Sequence, residues 1–324
     1  MRLLSVSRLM AQAAVTTVGG FLVVAGAAGE TDYGIGYAGE YSSNIRRTTT
    51  NPENEWINSV IVGFTYTENT VDLTARARAQ AQYRTYSHDT FGDEKLYLLD
   101  SSLLWTILPR RLSWVVEDAF SEVILDPTAA STPTNRAGAN AFSTGPDAMF
   151  QINPVNALRL SARYGNVYVG NTGLDNNRYT GLVGWEYQSS AVTQWSLNVQ
   201  HTTVDYENDV AAPDFQQNDV FLRMARRFSE SQLTLDAGKT KFKRDTGGES
   251  DGSLLRARWT RNLSATSSFG LTLASEFQDT GAELLSYVSA PGTPVTGGPP
   301  PAVGNNVVTN DIYYSRRADV FYTR

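Results

Sequence analysis

The chain has no cysteine and only two histidines, His88 and His201. That excludes a disulfide framework, thiolate metal ligation and a lipid-anchoring cysteine behind a leader. It suits an oxidising compartment, where stray disulfides are a hazard. Long apolar runs are also scarce. After the first 27 residues, none approaches the ~20 that a membrane-spanning helix needs. Mean hydropathy is −0.30, too polar for a helical membrane bundle. The formal net charge is −6, and no nucleic-acid partner is expected.

What the chain does have is alternation. In Thr70–Tyr86, Val71, Leu73, Ala75, Ala77, Ala79, Ala81 and Tyr83 share one parity. Asp72, Thr74, Arg76, Arg78, Gln80, Gln82 and Arg84 share the other. Successive side chains of a strand point to opposite sides, so this is one strand with an apolar and a polar face. A helical period would scatter the arginines around a cylinder. The strand is longer than the five or six residues typical of soluble sheets, and it suits the ~9–11 that a tilted membrane strand needs. Lipid would lie on the alanine side and a lumen on the arginine side. Aromatics are plentiful, with 16 Tyr, 13 Phe and 6 Trp, as interfacial girdles require.

The N-terminus reads as a secretory leader, residues 1–27. Arg2 and Arg8 make a basic start, an apolar stretch runs from Leu9 to Ala25, and Ala25-Gly26-Ala27 forms a cleavage site. Residues 28–324 then form one unit. Thirteen further strands are expected, at residues 33–44, 55–67, 96–108, 112–125, 141–152, 156–170, 178–188, 192–206, 217–228, 232–242, 254–261, 267–278 and 311–322. The strand at 141–152 is weak, because Gly145-Pro146 interrupts it. Asp118 breaks an otherwise apolar face.

Polar loops alternate with short turns along the chain, the one-sided rhythm of outer-membrane barrels. Residues 87–93, 126–139, 243–251 and 280–310 are expected as loops, the last Gly/Pro-rich and without regular structure. The fold expected is therefore all-β, an antiparallel up-and-down transmembrane β-barrel of about 14 strands. The chain ends Val320-Phe321-Tyr322-Thr323-Arg324. Either the barrel closes at that strand number with an untypical terminal residue, or the chain is truncated and a longer barrel is left open.

Several segments carry a family resemblance. They are Pro133-Thr134-Asn135-Arg136 through Asn140 with Phe142-Ser143-Thr144-Gly145-Pro146-Asp147, Leu112-Ser113-Trp114 with Glu117-Asp118, Ala162-Arg163-Tyr164-Gly165, and Arg261-Asn262-Leu263-Ser264. Together they resemble an outer-membrane β-barrel family associated with the exosortase/PEP-CTERM sorting system, a system that usually accompanies exopolysaccharide biosynthesis loci. They also resemble the wider class of β-barrel porins found beside polysaccharide export genes. The resemblance covers residues 33–324 and implies a location and a genomic neighbourhood rather than a reaction.

Residues that carry chemistry are few. A barrel-embedded lipid hydrolase needs a histidine near the outer rim as base. His88 lies in a loop, and His201 lies on the lipid-facing parity with Trp195, Leu197 and Val199. Gly247-Gly248 lacks the strand–helix context of a phosphate loop. No catalytic residue, metal ligand or cofactor is assigned. Loop acids Asp89, Asp93, Glu94, Glu207, Asp209, Asp245, Glu249 and Asp251 could bind calcium or bridge lipopolysaccharide, or simply be solvated.

The lumen wall is the candidate site. Inward parity collects Arg76, Arg78, Arg84, Arg159, Arg163, Arg178, Arg223, Arg256 and Arg258 against Asp72, Asp100, Glu117, Glu186, Asp236 and Glu276. Such a wall can concentrate anions, acidic polysaccharide included. Alternatively the arginines pair with carboxylates and stiffen a plugged barrel. The function expected is a non-enzymatic outer-membrane pore or export component linked to extracellular polysaccharide secretion. The alternative is a non-conducting structural barrel whose loops, residues 126–139 and 280–310, hold surface polymer or a partner. Expected partners are outer-membrane lipid and lipopolysaccharide, the barrel-assembly machinery, anionic polysaccharide and exopolysaccharide export proteins.

Overall fold

The computed structural model describes residues 16–23, 29–126, 129, 132–170, 172–208, 212–264, 266–287 and 312–323. Fifteen strands lie in one sheet in chain order, each antiparallel to the next. They are β1 (Thr16–Val23), β2 (Glu30–Ser42), β3 (Glu55–Asn69), β4 (Leu73–Tyr86) and β5 (Glu94–Leu108). Next come β6 (Leu112–Ile124), β7 (Arg136–Asn153), β8 (Asn156–Val169), β9 (Asn176–Ser190) and β10 (Thr193–Tyr206). The last are β11 (Phe215–Arg227), β12 (Ser231–Arg244), β13 (Glu249–Asn262), β14 (Ser268–Gln278) and β15 (Tyr313–Thr323). One short helix, α1 (Thr280–Tyr287), follows β14.

β2 to β15 correspond one for one with the fourteen strands read from the sequence. β1 falls in the stretch read as a leader and pairs Thr16 with Gly39 through Val23 with Asp32. With that stretch removed, the sheet begins at β2. Short turns, such as residues 109–111, 154–155 and 191–192, gather at one end, and loops such as 43–54 and 125–135 gather at the other.

The sheet is strongly curved. Strands lie about 4.8 Å apart, so on a flat sheet β9 would lie on the order of 24 Å from β14. Yet Arg178 Nη1 on β9 donates to Asp279 Oδ1, one residue beyond β14, at 3.0 Å. Leu284 of α1 packs with Val123 of β6, Ala139 of β7 and Val167 of β8, which lie still further along the sheet. The wall wraps round, and α1 lies on its concave face. This is the up-and-down barrel architecture expected, with an even number of strands from β2 to β15 so that the first and last run antiparallel.

The two faces differ as the alternation predicts. Ile35, Val62, Val183, Val199, Leu222 and Leu255 are all exposed on the convex face. Aromatics bound that apolar band at both ends. Trp105 registers with Trp114 near the short turns, and Trp185, Tyr187 and Trp195 lie at the same end of β9 and β10. Tyr97, Tyr164, Tyr168 and Tyr179 line the other rim and are also exposed.

Four expectations are corrected. The strand read from Thr70 starts at Leu73, because Thr70 closes a turn by donating its N–H to Leu73 O at 2.8 Å. The weak segment 141–152 belongs to the 18-residue β7. Pairing with β8 passes over Gly145-Pro146, where a Cβ on Gly145 would sit 2.0 Å from Ala162 O, so only glycine admits the close backbone beside the proline. Lys243–Asp251 is not an open loop. Lys243 pairs with Glu249 in the ladder, and Gly247 and Gly248, at φ 95° and 104°, make the tight turn. Finally, the segment read as irregular after residue 280 opens with α1. Asp209, residues 288–311, Arg324 and most of the leader lie outside the described residues.

Candidate functional site: the lumen wall and the helix inside it

Inward positions on β4 and β5 bring basic and acidic side chains together across the ladder. Arg76 Nη2 meets Asp100 Oδ2 at 2.8 Å. Arg84 lies 3.6 Å from Glu94, and Arg136 of β7 reaches the same carboxylate at 2.9 Å. Glu94, read as a loop acid, is therefore part of the wall. Glu249, also read as a loop acid, pairs with Lys241 at 2.7 Å on the outer side of the β12–β13 hairpin.

Further round the wall Arg163 donates to Asp147 at 2.7 Å and to Pro146 O at 3.0 Å. Arg223 grips Asp236 with two bonds, at 2.7 and 2.8 Å. Arg256 bridges Asp236, at 3.8 Å, and Glu276, to which its Nε donates at 2.6 Å. Forked pairs of this kind are the strong ones, and they tie neighbouring strands.

Among the described residues no carboxylate lies within ion-pair distance of Arg78, Arg159 or Arg258. Arg78 registers opposite Asp100, but Arg76 holds that carboxylate. Glu117 forms no ion pair among the described residues, and Glu186 accepts a bond from Gln194 at 2.6 Å. Asp72 does not line the wall. It lies exposed in the turn before β4, because strand pairing begins only after it.

Two cavities follow the inner wall. One, of about 810 Å3, lies toward the short turns and is lined by Glu117, Asp147, Arg159, Arg163, Glu186 and Gln194 among others. The second, of about 650 Å3, includes Arg178, Asp219, Arg223, Arg256, Arg258 and Glu276. Arg163 lines both.

The feature that alternation alone did not reveal is α1. It rests on a smooth inward patch of Ala137, Ala139, Ala141, Val123, Val167 and Val169. Two bonds join the Arg178 guanidinium to the Asp279 carboxylate at the root of the helix, and both side chains are buried. Arg178 Nε donates to Asn176 at 2.8 Å, and Asp279 also accepts from Gly281 N at 3.1 Å and Tyr206 OH at 3.4 Å. Gly281 lies under the guanidinium, where an added Cβ would come within 2.2 Å of Arg178 Nη2. A sequence signal for this was present: inward parity at 137, 139, 141, 167 and 169 carries alanine and valine, where a wet lumen calls for polar residues.

At the rim, buried Glu55 gathers backbone N–H groups from Trp56 and His88, each at 2.9 Å, and from Thr90 at 3.2 Å. Burial pushes its carboxyl up, but the bonds from Thr90, His88 and Trp56 outweigh this and hold it below the usual carboxylate range. His88 Nδ1 lies 3.2 Å from the same carboxylate. His201 faces outward and meets Asn218 at 2.8 Å and Thr203 at 3.2 Å.

No protein-family model matches the chain, and no curated protein matches it. Among solved structures, a bacterial polysaccharide outer membrane secretin aligns with TM-score 0.44 and 10% identity, over 96% of this chain and 95% of the other. An anion-selective porin from Comamonas acidovorans aligns with TM-score 0.29 and 13% identity, over 96% of this chain and 98% of the other.

Proposed function

We propose that this chain is a non-enzymatic pore or export component of the bacterial outer membrane, acting beside the PEP-CTERM/exosortase system in polysaccharide secretion. The observation that carries the pore reading is the inner wall. It is charged and cavity-lined along its length, and three inward arginines, Arg78, Arg159 and Arg258, are left outside the ion pairs. A low-dielectric wall with unneutralised cations favours anions over cations. The helix α1 narrows the passage at the loop end. The sequence resemblance supports the polysaccharide context, and anionic polysaccharide is the cargo that fits the wall.

The test is conductance of the refolded protein in a planar bilayer under a salt gradient. An open, anion-preferring channel supports the proposal.

A second reading has its own support. Most inward arginines are paired and α1 is held by buried groups, as in a non-conducting barrel that binds surface polymer through its loops. A folded protein with no conductance, and with polymer retention lost on loop deletion, would favour it.

A further inference from the structure

Only four of the 27 basic residues are lysine, and three of them, Lys239, Lys241 and Lys243, alternate along β12. All three are exposed, while Asp236, Thr240 and Phe242 of the other parity are buried. The lysines therefore stand on the convex face, at the end of β12 that carries the loops. The inner wall takes its cations from arginine instead. Below the lysines the convex face is apolar. Leu235 of β12, Val220 and Leu222 of β11 and Leu255 of β13 are exposed there. Lys239 registers with Val220, so the row of charge begins where the apolar band ends, and it runs for about 13 Å along the strand.

Counter-charge from the protein is incomplete. Lys241 meets Glu249 at 2.7 Å, and Asp251, the other acid on the β13 side, registers with that same lysine. Among the described residues no carboxylate lies within ion-pair distance of Lys239 or Lys243. On the β11 side the neighbours are neutral amides. Gln216 registers with Lys243 and Asn218 with Lys241, and both are exposed. Asn218 turns its Oδ1 to His201 Nδ1 at 2.8 Å, so its amide hydrogens are not spent on that contact.

A lysine at such a boundary lays its alkyl stem along apolar surface and lifts its charge to the headgroup level. An apolar strip topped by unneutralised cations and amide donors fits a lipid whose acyl chains cover the strip and whose phosphate meets the cations. A choline or ethanolamine headgroup brings a cation of its own to that row, whereas a phosphorylated sugar brings negative charge and hydroxyls. We propose that the outer face of β11 and β12 binds a phosphorylated glycolipid of the outer leaflet, its phosphate along the row from Lys239 to Lys243 and its sugar against Gln216 and Asn218. This rests on the outer-membrane placement proposed above, and adds to it the lipid class and its seat.

The test titrates the refolded full chain in non-ionic detergent with bisphosphorylated lipid A, and with the same lipid A dephosphorylated, and counts bound lipid by native mass spectrometry. The phosphorylated form should bind more tightly. A surface cation is worth about fivefold in affinity for an anionic lipid surface, so Lys239→Gln with Lys243→Gln should weaken that binding on the order of twentyfold. The double variant leaves the Lys241–Glu249 pair in place. Lys95→Gln, at the fourth lysine, should bind as the wild type does. Equal binding of the two lipids, no loss in the double variant, or displacement of the lipid by inorganic phosphate at the same concentration overturns the proposal. A heat-dependent gel shift and insertion into lipid vesicles report the barrel separately. A folded, inserting protein with no phosphate dependence fails this site alone, and a chain that inserts into no bilayer fails the outer-membrane reading with it.

Discussion

Arg178 and Asp279 lie 101 positions apart and meet as a buried, two-bonded ion pair on the concave side of the sheet. The pair does two things at once. It fixes the start of α1 to the wall at β9, and it records that the strands between them have curled. A buried pair adds little over an apolar substitute, but removing one partner strands a charge, at a cost of about 3–5 kcal/mol.

Asp279→Asn and Arg178→Gln should therefore each release α1 from the wall without unfolding the sheet, because the ladder at Arg178 is made by its backbone, which the substitution leaves in place. Hydrogen exchange should show lost protection at residues 280–287, with β6–β8 unchanged. Unaltered exchange in α1 would remove the pair from its anchoring role.

Gly281 should tolerate no side chain while the pair is intact. A Cβ there would press to 2.2 Å from Arg178 Nη2, and the guanidinium has no room to give because its other bonds hold it. Gly281→Ala should loosen α1 much as Asp279→Asn does, and the two together should cost far less than their sum. A double-mutant cycle by chemical denaturation checks this.

The inward arginines should divide into two classes. Neutralising Arg78, Arg159 and Arg258 to glutamine should reduce anion preference, read as a shift of the zero-current potential toward zero in a salt gradient. The same change at Arg76, Arg223 and Arg256 frees Asp100, Asp236 and Glu276. It should destabilise the wall, by the penalty of unpaired buried carboxylates. Equal effects from the two sets would show that pairing does not decide which arginines act on ions.

Glu55 gives a pH dependence. Its folded pKa lies below its ordinary value of 4.5, so it binds a proton less readily folded than unfolded. Its contribution is full above that ordinary value and is lost as pH falls through the depressed one. Protection of residues 87–93 from proteolysis should hold at neutral pH and fail in acid. Glu55→Gln should weaken it at neutral pH and remove its pH dependence.

Much of this fold was legible because period-two patterning is a local property. Leu158, Leu160, Ala162 and Tyr164 against Arg159, Ser161 and Arg163 need only one strand to be read. Loop lengths then order the strands without any knowledge of contacts. What escaped was non-local. No pattern within residues 280–310 shows that Asp279 finds Arg178, and with Gly145-Pro146 interrupting the strand and residues 126–139 read as a loop, the alanines of β7 were not read as a docking surface. Asp72 failed for the opposite reason: its parity was right, but parity carries no information about where pairing begins. Asp118, which broke the pattern on an outward face, is met by Asn140 of the neighbouring strand, a pairing its own strand does not show.

The central claim is that the charged lumen conducts and that α1 narrows it. The decisive measurement is single-channel conductance of the wild type beside Asp279→Asn, in the same bilayer and salt. A measurable wild-type conductance that rises severalfold in the variant, with anion preference retained, is the predicted result. No conductance in either protein, with both folded, would contradict it.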